Sequence, residues 1–274
     1  QAYDYVFFEG FSSLQYIRNI RKKTTRYVYI DHADITDLMW QRSRQEANLL
    51  RKLFFLSEYI RCRWYEKRYM PHVHQIWSIN KNSQKRFRRH FSMKNIIMPT
   101  IISLGKNVYN SSSTHVVFSG TLSWHENIVG LTWFLSHCWV SVLNKFPNTR
   151  LYVTGQLITP RLTKTLRRYP NVYYLGFVDN LEEVYRHTAV AISPLETNEG
   201  IKIKILTYMK YGIPVIAIKS NTESIHYAGA VLTASPETFA TTLISALSNK
   251  RLRARLSMAA HRNALKYHGY ASLN

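Results

Sequence analysis

The sequence predicts an α/β protein of two Rossmann-like domains, each built on a doubly wound parallel sheet, the N-terminal one incomplete. Short β-branched runs alternate with amphipathic helical segments along nearly the whole chain, the order that parallel sheets covered by helices require. Residues 189–218 give the clearest unit. Val190 to Ile192 and Val215 to Ile218 are apolar runs, and Ile201, Ile205 and Met209 recur between them at helical spacing until Gly212 and Pro214 stop the helix. Residues 105–114, with Asn107, Asn110 and three serines, have linker composition and divide the chain.

Taken in order, residues 3–8 read as a strand, 12–22 as a helix and 26–30 as a second strand ending at Asp31-His32-Ala33-Asp34. Residues 37–68 are helical in two pieces, with basic side chains interleaved with Trp40, Phe54, Phe55, Tyr59, Trp64 and Tyr65. A strand over 74–79, a helix over 84–91 and a strand over 95–98 close a first domain at residues 1–104. That is too few strands for a full doubly wound domain of about 100–150 residues, so the sequence implies that an N-terminal portion is absent. The second domain, residues 115–249, has strands over 115–119, 151–155, 172–175, 190–192, 215–218 and 229–233. Helices are expected between them at 127–146, 160–168, 181–187 and across the stretch before Gly212, with a last one over 236–248. Residues 250–274 form a basic helical tail.

Composition limits the partners. Thirty-seven Lys and Arg against sixteen Asp and Glu leave a net charge of +21, spread over both halves of the chain. Such an excess suits an enzyme of nucleoside diphosphates beside anionic lipid, and equally a nucleic-acid binder. No recognition-helix, zinc-finger or RNA-binding motif accompanies it, so no nucleic-acid partner is expected. Cys62 and Cys138 lack metal-ligand spacing, which predicts free thiols and no metal site. No apolar run approaches the ~20 residues of a membrane span.

Ligands of open parallel sheets sit outside the carboxyl ends of the strands, where the loop 194–200 lies. It delivers Glu199, Gly200, the free amides of Gly200 and Ile201 at a helix start, and Lys202 and Lys204 in the first turn. Lysines there oppose the helix dipole, so an anion is their natural partner.

Glu199-Gly200 in that setting resembles the donor-binding signature of the retaining, family-four (group 1) glycosyltransferases of the GT-B fold. Further landmarks in family order are Phe118-Ser-Gly120-Thr121, Asn127, Trp133-Phe134, Pro147, Leu151-Tyr-Val-Thr-Gly155 and Asn171-Val-Tyr-Tyr-Leu-Gly176-Phe-Val-Asp179. The resemblance covers residues 116–218 closely and 3–99 more loosely. It implies sugar transfer from a nucleoside-diphosphate sugar to a glycan or lipid-linked acceptor, with retention and with no cofactor or metal. Glu199 would then meet donor-sugar hydroxyls. The family's second glutamate, which holds the ribose, is replaced by Thr207, able to give one hydrogen bond where a carboxylate accepts two from a diol. Gly120 and Thr121 would approach the pyrophosphate. The basic pair that typical members place there is missing, which moves the phosphate role to Lys204, Lys202 and the amides of Gly200 and Ile201. Phe177 and Val178 match the border of the nucleobase.

On the acceptor side the resemblance places Asp31 and His32 facing the donor sugar, a His for a sugar hydroxyl and a carboxylate to steer the nucleophile. Asp34 has the alternative role of helix cap. Glu58 and Glu66, among arginines, read as ion-paired helix faces. The basic, aromatic helices of residues 40–68 fit an anionic membrane surface, which implies a cytoplasmic protein peripheral on the inner face of the plasma membrane, in cell-surface polysaccharide or lipopolysaccharide synthesis. A degenerate, non-catalytic sugar-nucleotide or glycan binder is the alternative that Thr207 leaves open.

Overall fold

The computed structural model describes residues 3–20, 25–31, 34–78, 81–98, 100–103, 105–194, 203–222, 225, 227 and 229–269. The chain divides into two compact units, one over residues 1–100 and one over residues 101–198 and 202–274.

The first unit is a four-stranded parallel sheet in the order β1 (Tyr5–Glu9), β2 (Arg26–Asp31), β3 (Gln75–Ser78), β4 (Lys94–Ile97). Between them run a 3-10 helix (Phe11–Asn19), α1 (Ile35–Gln45), α2 (Leu49–Tyr69) and α3 (Lys81–His90). Strands added always on the same side, by right-handed crossovers, place every helix on one face. The core agrees for the 3-10 helix, the end of α2 and α3. Phe8, Tyr29 and Ile76, in register across the sheet, pack with Leu14, Ile17, Met70 and Phe87. The opposite face carries Phe7, Val28, Ile30 and Trp77, with the rings of Phe7 and Trp77 5.3 Å apart and Phe7 half exposed. The segment expected as an α-helix over 12–22 is the tighter 3-10 form where it is described. Its N-cap, Gly10 at φ 74°, offers no side chain to accept from the first amides.

The second unit is a six-stranded parallel sheet in the order β10-β9-β8-β5-β6-β7. Its strands are β5 (His115–Ser119), β6 (Leu151–Thr154), β7 (Val172–Gly176), β8 (Thr188–Ser193), β9 (Val215–Ile218) and β10 (Val231–Ala234). The helices are α4 (His125–Phe134), α5 (Val140–Lys145), α6 (Pro160–Leu166), α7 (Leu181–Arg186), α8 (Ile203–Lys210), α9 (Phe239–Ser248) and α10 (Lys250–His268). Every residue of β8 is buried, as a central strand covered on both faces must be. Chain order reverses between β5 and β8, and that switch point opens a crevice at the carboxyl ends of the strands. On one face Val116, Phe118 and Val190 pack with Leu131, Phe134, Trp139, Phe239 and Leu243. On the other, the buried side chains Ile205, Tyr208 and Met209 of α8 lie against the sheet.

The helix expected as continuous over 127–146 is α4 and α5 joined by a π-helical turn, Leu135–Trp139. Trp139 is fully buried there, with its Nε1 donating to Pro170 O at 2.9 Å. Residues 105–114, expected to link the domains, lie in the second unit. Val108 N donates to Tyr211 O at 3.0 Å, and Asn107 Nδ2 donates to Ser257 Oγ at 3.2 Å. Gly212 ends α8 at φ 70°, and a Cβ there would meet Asn107 Oδ1 at 2.4 Å, so the turn and this segment require each other's shape. The basic tail is α10, packed on α8 and α9 of the same unit.

Candidate functional site

Three strand ends meet at the crevice of the second unit, and backbone alone laces them together. Gly120 N donates to Thr154 O at 3.0 Å, Leu122 N to Gln156 O at 2.8 Å and Gly155 N to Gly176 O at 2.8 Å. At Gly155, φ is 144° and a Cβ would lie 1.8 Å from Gly120 O, so only glycine lets the turns after β5 and β6 touch. Tyr208 of α8, fully buried, accepts a hydrogen bond at its Oη from Ser119 N at 2.7 Å. Burial pushes its phenol up to about 12, so it stays neutral and fixes the last residue of β5.

Lys204 reaches this turn from the first turn of the described part of α8. Its Nζ donates to Asn127 Oδ1 at 2.6 Å and stands 4.3 Å from the ring centroid of Phe118. Asn127 Nδ2 donates in turn to Thr121 O at 2.8 Å. A Cβ on Gly120 would be 2.9 Å from both Lys204 Nζ and Asn127 Nδ2, so the ammonium lies directly on the glycine turn. Among the expected donor residues, Gly120, Thr121 and Lys204 are thus brought together. Asn127 was known from the sequence only as a landmark, yet it positions the lysine.

Thr207 is on the same helix, but its hydroxyl donates to Ile203 O at 3.0 Å. Its proton is directed to the helix's own backbone, and its lone pairs remain to accept. Phe177, exposed, and Val178, half-buried, follow Gly176, which sits at φ 72°. Glu199, Gly200, Ile201 and Lys202 lie outside the described residues.

The first unit holds a buried charge network at the carboxyl end of β2. Asp31 is 1% exposed; its Oδ1 accepts from Tyr29 Oη at 3.3 Å, and its Oδ2 is buried without a hydrogen-bond partner. Desolvation, then repulsion by Asp34, raises its acid to about 6 against the pull of Arg86. Asp34 caps α1 by accepting from Asp37 N at 2.9 Å, and it also pairs with Arg86 Nε. Arg86 holds both carboxylate oxygens of the buried Glu66, at 2.9 and 3.1 Å. Glu66 takes further hydrogen bonds from Thr36 Oγ1 at 2.8 Å and Arg63 at 3.2 Å. Glu66 is therefore ion-paired as expected, but in the interior rather than on a solvated face. Arg63, expected on the basic surface, is turned to Glu66 and His90. His32 lies outside the described residues. Nothing in the run Lys-Asn-Ser-Gln-Lys-Arg-Phe-Arg-Arg-His singles out Arg86; its partners lie 20 and 52 residues away. Among the described residues no group of three or more His, Cys, Asp or Glu could hold a metal ion.

A parallel domain with a glycine turn and a lysine at the switch point of its sheet defines a Rossmann-like α/β protein. The model of the glycosyl transferases group 1 family matches residues 113–249, half of the chain, and the chain belongs to that family. An uncharacterized 44.6 kDa protein in the cps region of Klebsiella pneumoniae is 21% identical over 234 residues, which are 81% of this chain and 59% of that protein. Sucrose-phosphate synthase of Thermosynechococcus elongatus superposes with a TM-score of 0.75 at 13% identity, over 99% of this chain and 71% of that one. A point mutant of S. aureus TarM, in complex with fondaparinux, alpha-GlcNAc-glycerol and UDP, gives 0.71 at 12% identity, over 97% and 53%. At these identities the likeness shows the fold, which is GT-B with two Rossmann-like parallel-sheet domains. The chain spans between half and three fifths of the length of the Klebsiella protein and of TarM.

Proposed function

We propose that the chain is part of a retaining hexosyltransferase that moves a sugar from a nucleoside diphosphate to a glycan or lipid-linked acceptor, in cell-surface polysaccharide or lipopolysaccharide synthesis. The observation that carries this reading is Lys204 Nζ held at the Gly120 turn by Asn127, a cation where a strand end and a helix start can receive a diphosphate. The cps-region relative and the UDP named with TarM support the substrate class. Lys204 and the helix-start amides, with Lys202, take over the charge of the leaving diphosphate, so no metal is needed. Glu199 orients the donor sugar, Phe177 and Val178 border the base, and Asp31 and His32 are the candidates that the family likeness assigns to the acceptor-side domain.

Calorimetric titration with UDP, GDP and dTDP tests it. One of them binds, Lys204→Ala weakens it about tenfold to a hundredfold as expected for a charge-assisted contact, and a chelator changes nothing. Absence of binding by all three overturns the reading for this chain. Glu199→Ala is expected to abolish transfer with the melting temperature unchanged; undiminished turnover would show that Glu199 is not the sugar-facing carboxylate.

Thr207, with its proton on Ile203 O, favours a second reading, a non-catalytic sugar-nucleotide or glycan binder. The two part on whether bound donor is ever turned over. In the catalytic reading Thr207→Glu tightens the nucleotide by supplying a carboxylate to the ribose.

The protein acts at the cytoplasmic face of the plasma membrane, held to anionic lipid by its basic surface, and has no nucleic-acid partner. No described helix is long and apolar enough to cross a membrane. With Arg63 directed inwards, Arg51, Lys52, Lys67 and Arg68 are the exposed cations of α2 that carry this attachment, with Arg61 shared with Glu58.

A further inference from the structure

Helix α2 has two apolar sides, and only one of them is packed. Phe55, Tyr59 and Cys62 belong to the packed side, where Trp40 of α1 meets Tyr59 with ring centroids 5.1 Å apart and Cys62 is buried. The other side carries Leu49, Leu53, Ile60 and Trp64, at steps of four, seven and four residues that keep to one helix face. Their exposures are 68%, 53%, 59% and 60%. At the N-terminal end Leu50, 78% exposed, and Phe54, 58% exposed, widen the stripe.

Cations border it. Arg51 and Lys52 are exposed within the first turns, and Arg61, Lys67 and Arg68 further along. The first turn holds no acidic residue; Asn48 caps it by accepting from Arg51 N at 3.1 Å, and the positive end of the helix dipole is left to an outside anion. A helix that is apolar on all sides belongs in an apolar medium, and one bordered by Arg and Lys belongs at the boundary of that medium with phosphate. A second copy of this chain would bring +21 against +21. A convex helix ridge needs a complementary groove in a protein partner, whereas a bilayer accepts it without one.

We propose that α2 lies in the plane of an anionic bilayer, with Leu49, Leu50, Leu53, Phe54, Ile60 and Trp64 below the headgroups and the cations beside them on the phosphates. This rests on the membrane attachment proposed above and adds insertion to it. Charge brings the helix to the surface, and the stripe holds it by burying apolar area. The membrane-facing part of the first unit is then the side of α2 turned away from α1, and the deepest part is the Leu49 to Phe54 end, where four large apolar side chains are exposed within six residues.

The test is flotation of the whole chain with phosphatidylcholine vesicles, with and without about one third phosphatidylglycerol. The wild type and two double variants are compared, Leu50→Asp with Phe54→Asp and Arg51→Glu with Lys52→Glu. All four positions are exposed, so unchanged melting curves show that the fold is kept. The wild type is expected to float with anionic vesicles, and each double variant to lose affinity at least tenfold. Brominated lipid quenches wild-type tryptophan fluorescence, and Trp64→Phe removes that quenching. If the Leu50/Phe54 variant binds as tightly as wild type, attachment is electrostatic alone; insertion is then overturned while the anionic-membrane reading stands. If the wild type binds no vesicle, both fall. If that variant instead converts a lipid-free dimer to a monomer, the stripe is a protein interface and the proposal is overturned.

Discussion

Asp31, the last residue of β2, carries a buried carboxyl that is 1% exposed. Arg86, 55 positions on in the chain, stands beside it, and Asp31 Oδ2 is buried without a partner. Burial favours the uncharged acid, so the folded state holds a proton that the unfolded chain, with a carboxyl near 3.8, has released. A folded value raised to about 6 gives a definite sign: stability is highest below the unfolded value, is lost as pH rises from about 4 to about 6, and is level above. Two pKa units correspond to about 3 kcal/mol at most. Asp31→Asn should remove that dependence, so urea denaturation should show the variant gaining roughly 1–3 kcal/mol on wild type between pH 4 and pH 7.5. A difference that does not change with pH would mean that Asp31 is ionised in the folded protein. Single residues are legible only in part: Asp31 stands out by its likeness to the family's position at a strand end, while its partner Arg86 does not. Gly120 and Lys204 are legible as a strand-end glycine and a helix-start cation, whereas Asn127, which holds the lysine, is separated from it by 77 residues.

Elements were more legible than residues because a strand or helix is written in neighbouring positions. All six strands of the second sheet follow from their apolar runs, and the two-piece helix of 37–68 is there as α1 and α2. The π-helical turn at Leu135–Trp139 and the seat of residues 105–114 were not legible, since both depend on partners far away, Pro170 O for the first and α10 for the second. Arg253 explains how α10 is held. It is fully buried with no carboxylate partner among the described residues, and its guanidinium donates to Ala246 O at 2.9 Å and to Leu247 O, two carbonyls in the last turn of α9. The same group donates to Ser111 O at 3.1 Å, Ser113 O at 3.3 Å and Tyr109 Oη at 3.2 Å. One side chain thus caps α9 and fastens the 105–114 segment, a task that the planar fork of Arg performs and the single ammonium of Lys does not. Arg253→Lys should cost about 2–4 kcal/mol, read from the shift of the urea midpoint, because the buried Leu247 carbonyl loses its donor and the ties to the 105–114 segment are lost with it. A cost below about 0.5 kcal/mol would mean that water replaces the guanidinium.

At the scale of the whole molecule the decisive quantity is +21. Among the described residues the ion pairs are few. Arg61 to Glu58 and Arg186 to Glu182 are surface helix pairs, worth a few tenths of a kcal/mol each, and the others belong to the buried Arg86 and Glu66 network. Like charges that outnumber their partners repel one another and destabilise the compact state, and salt screens this repulsion over about 10 Å at 0.1 M. The buried network is shielded from ions and should respond little. Two effects of salt then run in opposite directions. Screening the surface excess stabilises the fold, while the same screening would weaken the proposed attachment to anionic lipid, since that attachment would use the same charges. The melting temperature of the lipid-free protein should therefore rise between about 0.02 and 0.5 M sodium chloride, over the same range in which vesicle binding weakens. A melting temperature that falls with salt would mean that attractive surface pairs outweigh the repulsion, and the excess charge would then carry no stability cost for a membrane partner to relieve.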